Sequence, residues 1–254
     1  MRTIAIIQAR MGSTRLPGKV LKRLANEKVL SHVVRRVRLA KRLDGICIAT
    51  TESPADEPIV SECARLGVSC WRGSEQDVLS RYFDAAQACG AKVIVRVTSD
   101  CPLFDGALLD EMLALFQSEG NLLSTQRGRP VGEGLDYMSN VQVRRFPRGL
   151  DAEIFTFAAL TRAHREATQP HEREHVTPYF YQHSELFRLH SFEGAEDLSA
   201  HRWTLDTPED WQFVEAVYEA LGPSFDTLAV LNLLKARPEL ATLNRHVEQK
   251  KLVE

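Results

Sequence analysis

The sequence predicts an α/β fold: a mainly parallel sheet with helices on both faces. Two observations carry that expectation. Short β-rich runs alternate with longer amphipathic stretches through the first half, and the runs are continuously apolar, as strands buried on two faces must be. The chain has 254 residues, 44% of them hydrophobic, enough for one large core.

Thr3 to Ile7 (TIAII) reads as the first buried strand. In KVLSHVVRRVRLAKRL, Lys28 to Leu43, the residues Val29, Leu30, Val33, Val34, Val37 and Leu43 fall near one helical face with arginines and lysines opposite. GICIATT is the second strand. PADEPIVSECARLG is a helix stopped by Gly67 as a C-cap. VSCW is a short third strand, QDVLSRYFDAAQACG a helix ending in glycine, KVIVRVTSD the fourth strand and DGALLDEMLALFQSEG the next helix.

From about Gly120 the pattern becomes irregular, with turns and short extended pieces such as NVQVRRF. AEIFTFAALTRAHREA and HEREHVTPYFYQH read as helices, and LFRLHSF and HRWTLD as strands. TPEDWQFVEAVYEALG is a helix with Thr207 as N-cap, Pro208 at its first position and acids in the first turn. Residues 1–254 read as a single domain with an irregular substrate or dimerisation segment at about 120–200. The closing EQKKLVE is expected to be solvated or a partner contact.

The net charge of −2 argues against nucleic acid or a membrane as partner, so any anion site must be local. The five cysteines are odd in number and form no CxxC, which argues against a disulfide framework or zinc ribbon and for a reducing cytoplasm. The apolar run in MRTIAIIQAR is too short for a signal peptide or a membrane span.

Parallel sheets bind ligands at the carboxyl ends of their strands. Two segments lie there: QARMGSTRLPGK, Gln8 to Lys19, after the first strand, and TSDCPL after the fourth. The first fails the Walker A rule, because five residues separate Gly12 from Gly18 and Val20 follows Lys19. It still has small residues that let backbone N–H groups approach an anion, and Arg10, Arg15 and Lys19 add three positive charges. A triphosphate would bring Mg2+, usually held by one or two carboxylates. Asp100 and Asp206 are the candidates: each follows a strand pattern and stands near a proline. A turn aspartate and a helix cap are the plainer readings of these two.

ARMGSTRLPGK resembles the nucleotide loop of the sugar-acid cytidylyltransferases, which make CMP-activated Kdo and sialic acids. TSDCPL is similar to their strand-end magnesium segment, and LDTPEDW to their second metal-binding aspartate and the helix after it. DVLSRY, RFPRGLDAEIF and EREHVTPYF resemble segments of the spore-coat polysaccharide branch. The resemblance implies a Rossmann-like nucleotidyltransferase fold, a homodimer, and transfer of CMP from CTP to a sugar acid with release of pyrophosphate. It implies phosphate roles for Arg10, Gly12, Ser13, Arg15 and Lys19, Mg2+ on Asp100 and Asp206, and a place near the nucleotide for Arg81. Kdo enzymes carry Gln-Gly-Asp-Glu-Pro where this chain has Thr98-Ser99-Asp100-Cys101-Pro102, so Thr98 stands near the base and Cys101 replaces a carboxylate.

HEREH, His171 to His175, matches a zincin spacing, but it follows Pro170 directly and lacks a third histidine. Arg148, Asp151, Glu153, Glu172, Arg173, Glu174 and His175 are instead expected to recognise substrate, since carboxylates accept from sugar hydroxyls and arginine holds a carboxylate. An internal salt-bridge network or a dimer contact is the other reading. Two further functions stay open: a nucleotidyltransferase using a sugar 1-phosphate or another nucleotide, and a non-catalytic nucleotide-binding protein.

Overall fold

The computed structural model describes residues 1–122 and 134–249. Its strands are β1 (Thr3–Gln8), β2 (Arg23–Leu24), β3 (Glu27–Lys28), β4 (Gly45–Thr51), β5 (Ser69–Gly73), β6 (Val93–Thr98), β7 (Tyr137–Ser139), β8 (Glu153–Thr156) and β9 (Leu189–Ser191). Its helices are α1 (Val29–Val37), α2 (Glu57–Leu66), α3 (Val78–Ala88), α4 (Gly106–Leu122), α5 (Phe157–Glu166), α6 (Pro170–His175), α7 (Pro178–Gln182), α8 (Pro208–Leu221) and α9 (Thr227–Ala236).

The sheet order is β5-β4-β1-β6-β8-β7-β9, and β2 and β3 form a separate small hairpin. β1 pairs in parallel with β4 and β6, and β4 with β5. Of these seven strands β8 alone runs against the rest, antiparallel to β6 and to β7, while β9 is parallel to β7. Alternate residues of one strand therefore feed two cores. Ala5 and Ile7 pack with α1, α4 and α8, and Ile4 and Ile6 with α3, α5 and α7. This is the sheet with helices on both faces that the apolar strands imply.

Local chemistry accounts for the element ends. Gly67, in the left-handed conformation at φ 62°, closes α2. Asp77 caps α3 by accepting from the Ser80 N–H at 2.9 Å. Thr207 caps α8 in a reciprocal box with Asp210.

Four sequence expectations change. AEIFTFAALTRAHREA is not one helix: Glu153–Thr156 is β8, and Thr156 caps α5. Its alternating pattern pairs with β6 and β7, a tertiary choice that a helical reading overlooks. HEREHVTPYFYQH breaks into α6 and α7 at Val176, whose φ is 73°, with Pro178 starting the second piece. NVQVRRF is a turn, not an extended piece. Asn140 reverses the chain by donating to the Leu150 carbonyl at 2.8 Å and accepting from the Ala152 N–H at 2.9 Å. HRWTLD makes only an isolated bridge at Arg202, and the Leu205 N–H donates to the Asp100 carbonyl at 2.8 Å. That bond ties the second candidate aspartate to the first. Helix α9, N-capped by Asp226, had no counterpart in the sequence reading.

Part of the irregular segment expected at about 120–200, residues 123–133, lies outside the described residues, as does 250–254 of the closing tail. Among the described residues no helix is long and apolar enough to cross a membrane.

Candidate active site

A cleft of about 560 Å³ opens at the carboxyl ends of β1 and β6. Arg10, Gly12, Ser13, Arg15, Lys19, Arg81, Thr98, Asp100, His175 and Asp206 all line it. A smaller hollow of about 370 Å³ lies at the other end of the sheet, beside Arg2, Arg38 and Cys89.

The loop after β1 is held from below. Asp56 accepts from the Met11 N–H at 2.7 Å and from the Thr51 hydroxyl, so the loop begins at a fixed point. Gly18, at φ 66°, makes the turn into the short 3-10 segment Lys19–Leu21. That turn sends the Lys19 side chain inward, where the residue is 8% exposed.

Lys19 joins the two aspartates. Its Nζ lies 3.0 Å from Asp100 Oδ2 and 2.7 Å from Asp206 Oδ1, and it donates to the Leu205 carbonyl at 2.8 Å. Arg15 Nη2 approaches the second Asp206 oxygen at 3.1 Å, and Arg202 Nη2 donates to that oxygen at 3.0 Å. Burial would raise the Asp100 carboxyl, but Lys19 and the Thr98 hydroxyl, 2.5 Å from Oδ1, outweigh it and hold it at about 2. Burial would likewise lower Lys19, but Asp100 and Asp206 push it up. Both partners are therefore charged at neutral pH.

The plainer reading of Asp206 as a helix cap does not describe this geometry. Thr207 caps α8, which leaves the Asp206 carboxylate to Lys19, Arg15 and Arg202. Asp210 fixes the aspartate from behind. It accepts from the Asp206 N–H at 2.9 Å and binds Arg202 at 2.8 and 2.9 Å, with Asn244 donating to it at 2.8 Å. Arg202 also donates to Gln249 at 2.8 Å.

On the other side of the loop Arg10 is exposed, and its side chain makes no hydrogen bond among the described residues. Arg81 is buried and donates to the Ser74 carbonyl at 2.8 Å, while its Nε has no acceptor. Burial, with Arg10 nearby, pushes the Arg81 guanidinium down. Arg10 and Arg81 both line the cleft, and two cations there suit an anion.

The second-half residues divide. Glu174 and His175 reach the cleft. Glu172 does not: it completes the α6 capping box, accepting from the Thr168 and Gln169 N–H groups at 3.1 and 3.0 Å. Arg173 turns to α3, binding Asp77 at 2.5 and 3.1 Å and the His164 carbonyl at 2.8 Å. Glu153 pairs with Arg96 inside the sheet and accepts from Tyr137 at 2.7 Å. Asp151 is held in a fork by Arg144 at 2.7 and 3.1 Å. For these four the internal-network reading describes the contacts. His171 bonds Gln182 at 2.9 Å, and no three metal-binding side chains cluster among the described residues.

Arg202, Asp210, Asn244 and Asp56 were not read from the sequence. Asp210 left a signal, the Thr-x-x-Asp spacing of a capping box, but its hold on Arg202 depends on an irregular turn that no periodicity reports.

The donor set suits a hard cation. Two carboxylates from separate segments already share one point charge, the Lys19 ammonium, and they adjoin a basic loop that could carry phosphates.

Comparison with known proteins agrees with the geometry. The profile of the cytidylyltransferase family matches residues 4–250. The spore coat polysaccharide biosynthesis protein SpsF of Bacillus subtilis is 34% identical over 93% of this chain and 95% of its own length. The 3-deoxy-manno-octulosonate cytidylyltransferase of Solibacter usitatus is 30% identical over 87% of this chain and 89% of its own. Among solved structures, a cytidylyltransferase from Leptospira borgpetersenii superposes with a TM-score of 0.86 at 32% identity, covering 99% of this chain and 100% of that one.

Proposed function

Because the chain belongs to the cytidylyltransferase family, a family of nucleotidyltransferase enzymes, we propose that it transfers CMP from CTP to a sugar acid of the octulosonic or nonulosonic type, releasing pyrophosphate. The observation that carries this reading is the meeting of Asp100 and Asp206 at Lys19, beside the basic loop. The similarity to an octulosonate cytidylyltransferase over 87% of this chain supports the acceptor class, and the likeness to SpsF supports a role in surface polysaccharide synthesis.

The reaction brings an acceptor hydroxyl to the α-phosphorus in line with departing pyrophosphate, so the protein chiefly positions groups and neutralises charge. Arg10, Arg15 and Lys19 stabilise the charge that grows on pyrophosphate, with Gly12 and Ser13 giving the tail close backbone approach. Arg81 and Thr98 flank the nucleotide. Asp100 and Asp206 would hold Mg2+, which would supply Lewis-acid charge neutralisation beside the α-phosphate. Thr98 and Asp210 keep those carboxylates aimed.

The test is mass spectrometry of products formed from CTP, Mg2+ and a panel of octulosonic and nonulosonic acids, with UTP, ATP and GTP run in parallel. A CMP-linked sugar acid formed from CTP in preference to the other nucleotides is expected. Pyrophosphate release with a sugar 1-phosphate instead, or release with no acceptor at all, overturns the reading.

A further inference from the structure

We infer that Cys89 is a thiol-exchange site with Cys47 as its resolving partner: a low-molecular-weight disulfide bearing carboxylates enters the hollow beside Arg2 and Arg38, and a Cys47–Cys89 disulfide results. The inference is independent of the cleft and of the function proposed for it.

Strand register sorts the cysteines. On the paired strands β4 and β5, Cys47 stands opposite Ser69, and Ile48 opposite Cys70. Neighbouring residues of a strand face opposite ways, so Cys47 and Cys70 lie on different faces of the sheet. Cys47 is 1% exposed and belongs to the core cluster that holds Leu79, Tyr82, Ala85 and Ala86 of α3. Cys89, the C-cap of α3, packs against that same cluster, and its sulfur shares a hydrogen bond with the Cys47 thiol. Cys63 and Cys70 form the corresponding pair in the other core. All of these cysteines are free.

Access separates the two pairs. Cys89 is half-buried and lines the hollow of about 370 Å³ together with Arg2, Arg38 and Asp44; Cys63 and Cys70 do not line it. Asp44 is engaged, accepting from the Thr3 N–H at 2.7 Å, and Arg38 donates to the Leu66 carbonyl at 2.7 Å. Arg2 is exposed, and its charge acts on the Cys89 sulfur. Two guanidiniums beside one engaged carboxylate suit a visitor that carries carboxylates of its own.

An attacking sulfur must be a thiolate. The carbonyl end of α3 and partial burial oppose that charge. The hydrogen bond from Cys47, and after it Arg2, draw Cys89 below the usual thiol range despite that burial. The same bond, with burial, drives Cys47 the other way, so it keeps its proton. The accessible member of the pair is thus the nucleophile and the buried member the resolver. The exchange balances. The Cys89 thiolate attacks one sulfur of the visiting disulfide, forming a mixed disulfide and expelling a thiolate. Cys47 gives its proton to that thiolate and attacks the Cys89 sulfur, and the second thiolate leaves and takes up the proton that Cys89 first gave to water. The protein pair loses two electrons and two protons, and the visitor becomes two thiols.

The experiment incubates the folded full chain with glutathione disulfide, quenches in acid, alkylates the remaining thiols and maps the peptides by mass spectrometry. Wild type should give a Cys47–Cys89 cross-link with Cys63 and Cys70 alkylated. Cys47→Ala should stop at a glutathione adduct on Cys89, and Cys89→Ser should give neither product. Arg2→Gln should slow glutathione disulfide about two- to fivefold more than it slows uncharged bis(hydroxyethyl) disulfide, the scale of one exposed ion pair. Should a cysteine variant fail to fold, the wild-type map decides. Modification of Cys63 or Cys70 ahead of Cys89, a wild-type adduct on Cys89 that never passes to Cys47, cross-linking only after urea unfolds the chain, or no modification at all would each overturn the assignment.

Discussion

Replacing Lys19 with methionine tests the site most directly. The ammonium touches Asp100 at 3.0 Å, Asp206 at 2.7 Å and the Leu205 carbonyl at 2.8 Å. Methionine keeps the packing of the stem and deletes the charge. Removing one partner of a buried pair typically costs about 3–5 kcal/mol, because a charge is left without compensation. Here the loss falls below that range. Asp206 keeps Arg15 and Arg202, and the Asp100 side chain is 24% exposed, so water can reach it. A cost of about 2–3 kcal/mol follows, or a fall in Tm of roughly 4–12 °C for a chain of this size. Turnover should fall at least ~100-fold, the scale of one preorganised electrostatic contact. The assay is thermal unfolding by circular dichroism without nucleotide, beside pyrophosphate release from CTP. Adding Mn2+ should recover part of the lost stability in Lys19→Met, since a divalent ion then meets two carboxylates without a competing ammonium. A variant that unfolds with the wild type and turns over within about tenfold of it would refute the arrangement.

Other residues give separable outcomes. Arg173→Gln should lower stability by about 1–3 kcal/mol through the lost α3–α6 contacts while leaving both substrate KM values within about twofold; a tenfold rise in acceptor KM would return Arg173 to the binding surface. Gly149→Ala should cost about 3 kcal/mol or more, measured by urea unfolding, because the new Cβ meets the Trp203 and Thr204 backbone at 2.5–2.7 Å; wild-type stability would contradict the close approach. Glu62, 1% exposed, accepts from Arg65, Lys28 and Ser31, and these contacts hold its carboxyl at about 2. Its folded value lies below its unfolded one, so its contribution is complete above about pH 4.5 and is lost as pH falls through about 2. The stability gap between wild type and Glu62→Gln should be flat from pH 5 to 7 and narrow below about pH 4; a gap that widens on acidification would reverse the assignment.

What the sequence revealed was what lies close together along the chain. The glycines and cations of Gln8 to Lys19 sit within one loop, and strand-end aspartates advertise themselves by their neighbours. Both candidate metal ligands were therefore legible, as was Thr207 as a cap. Roles decided by distant partners were not. Glu172 and Arg173 read as substrate groups because charge alone does not say whether a side chain faces a cleft or an adjoining helix. Glu153 looked available until β8 placed it against Arg96, 57 residues away in sequence. The β8 misreading has the same root: EIFT runs without punctuation into a helix, and only pairing with β6 makes it a strand.

Strand β8 also governs how the molecule can be divided. It seals the outer edge of β6, the strand that delivers Asp100, and it comes from the half of the chain that supplies Asp206. A fragment ending after α4 would leave a bare row of amides and carbonyls along β6, an invitation to self-association, with no second carboxylate for Lys19. Neither half alone can therefore assemble the cluster of Lys19, Asp100 and Asp206: it is absent until both have folded as a unit.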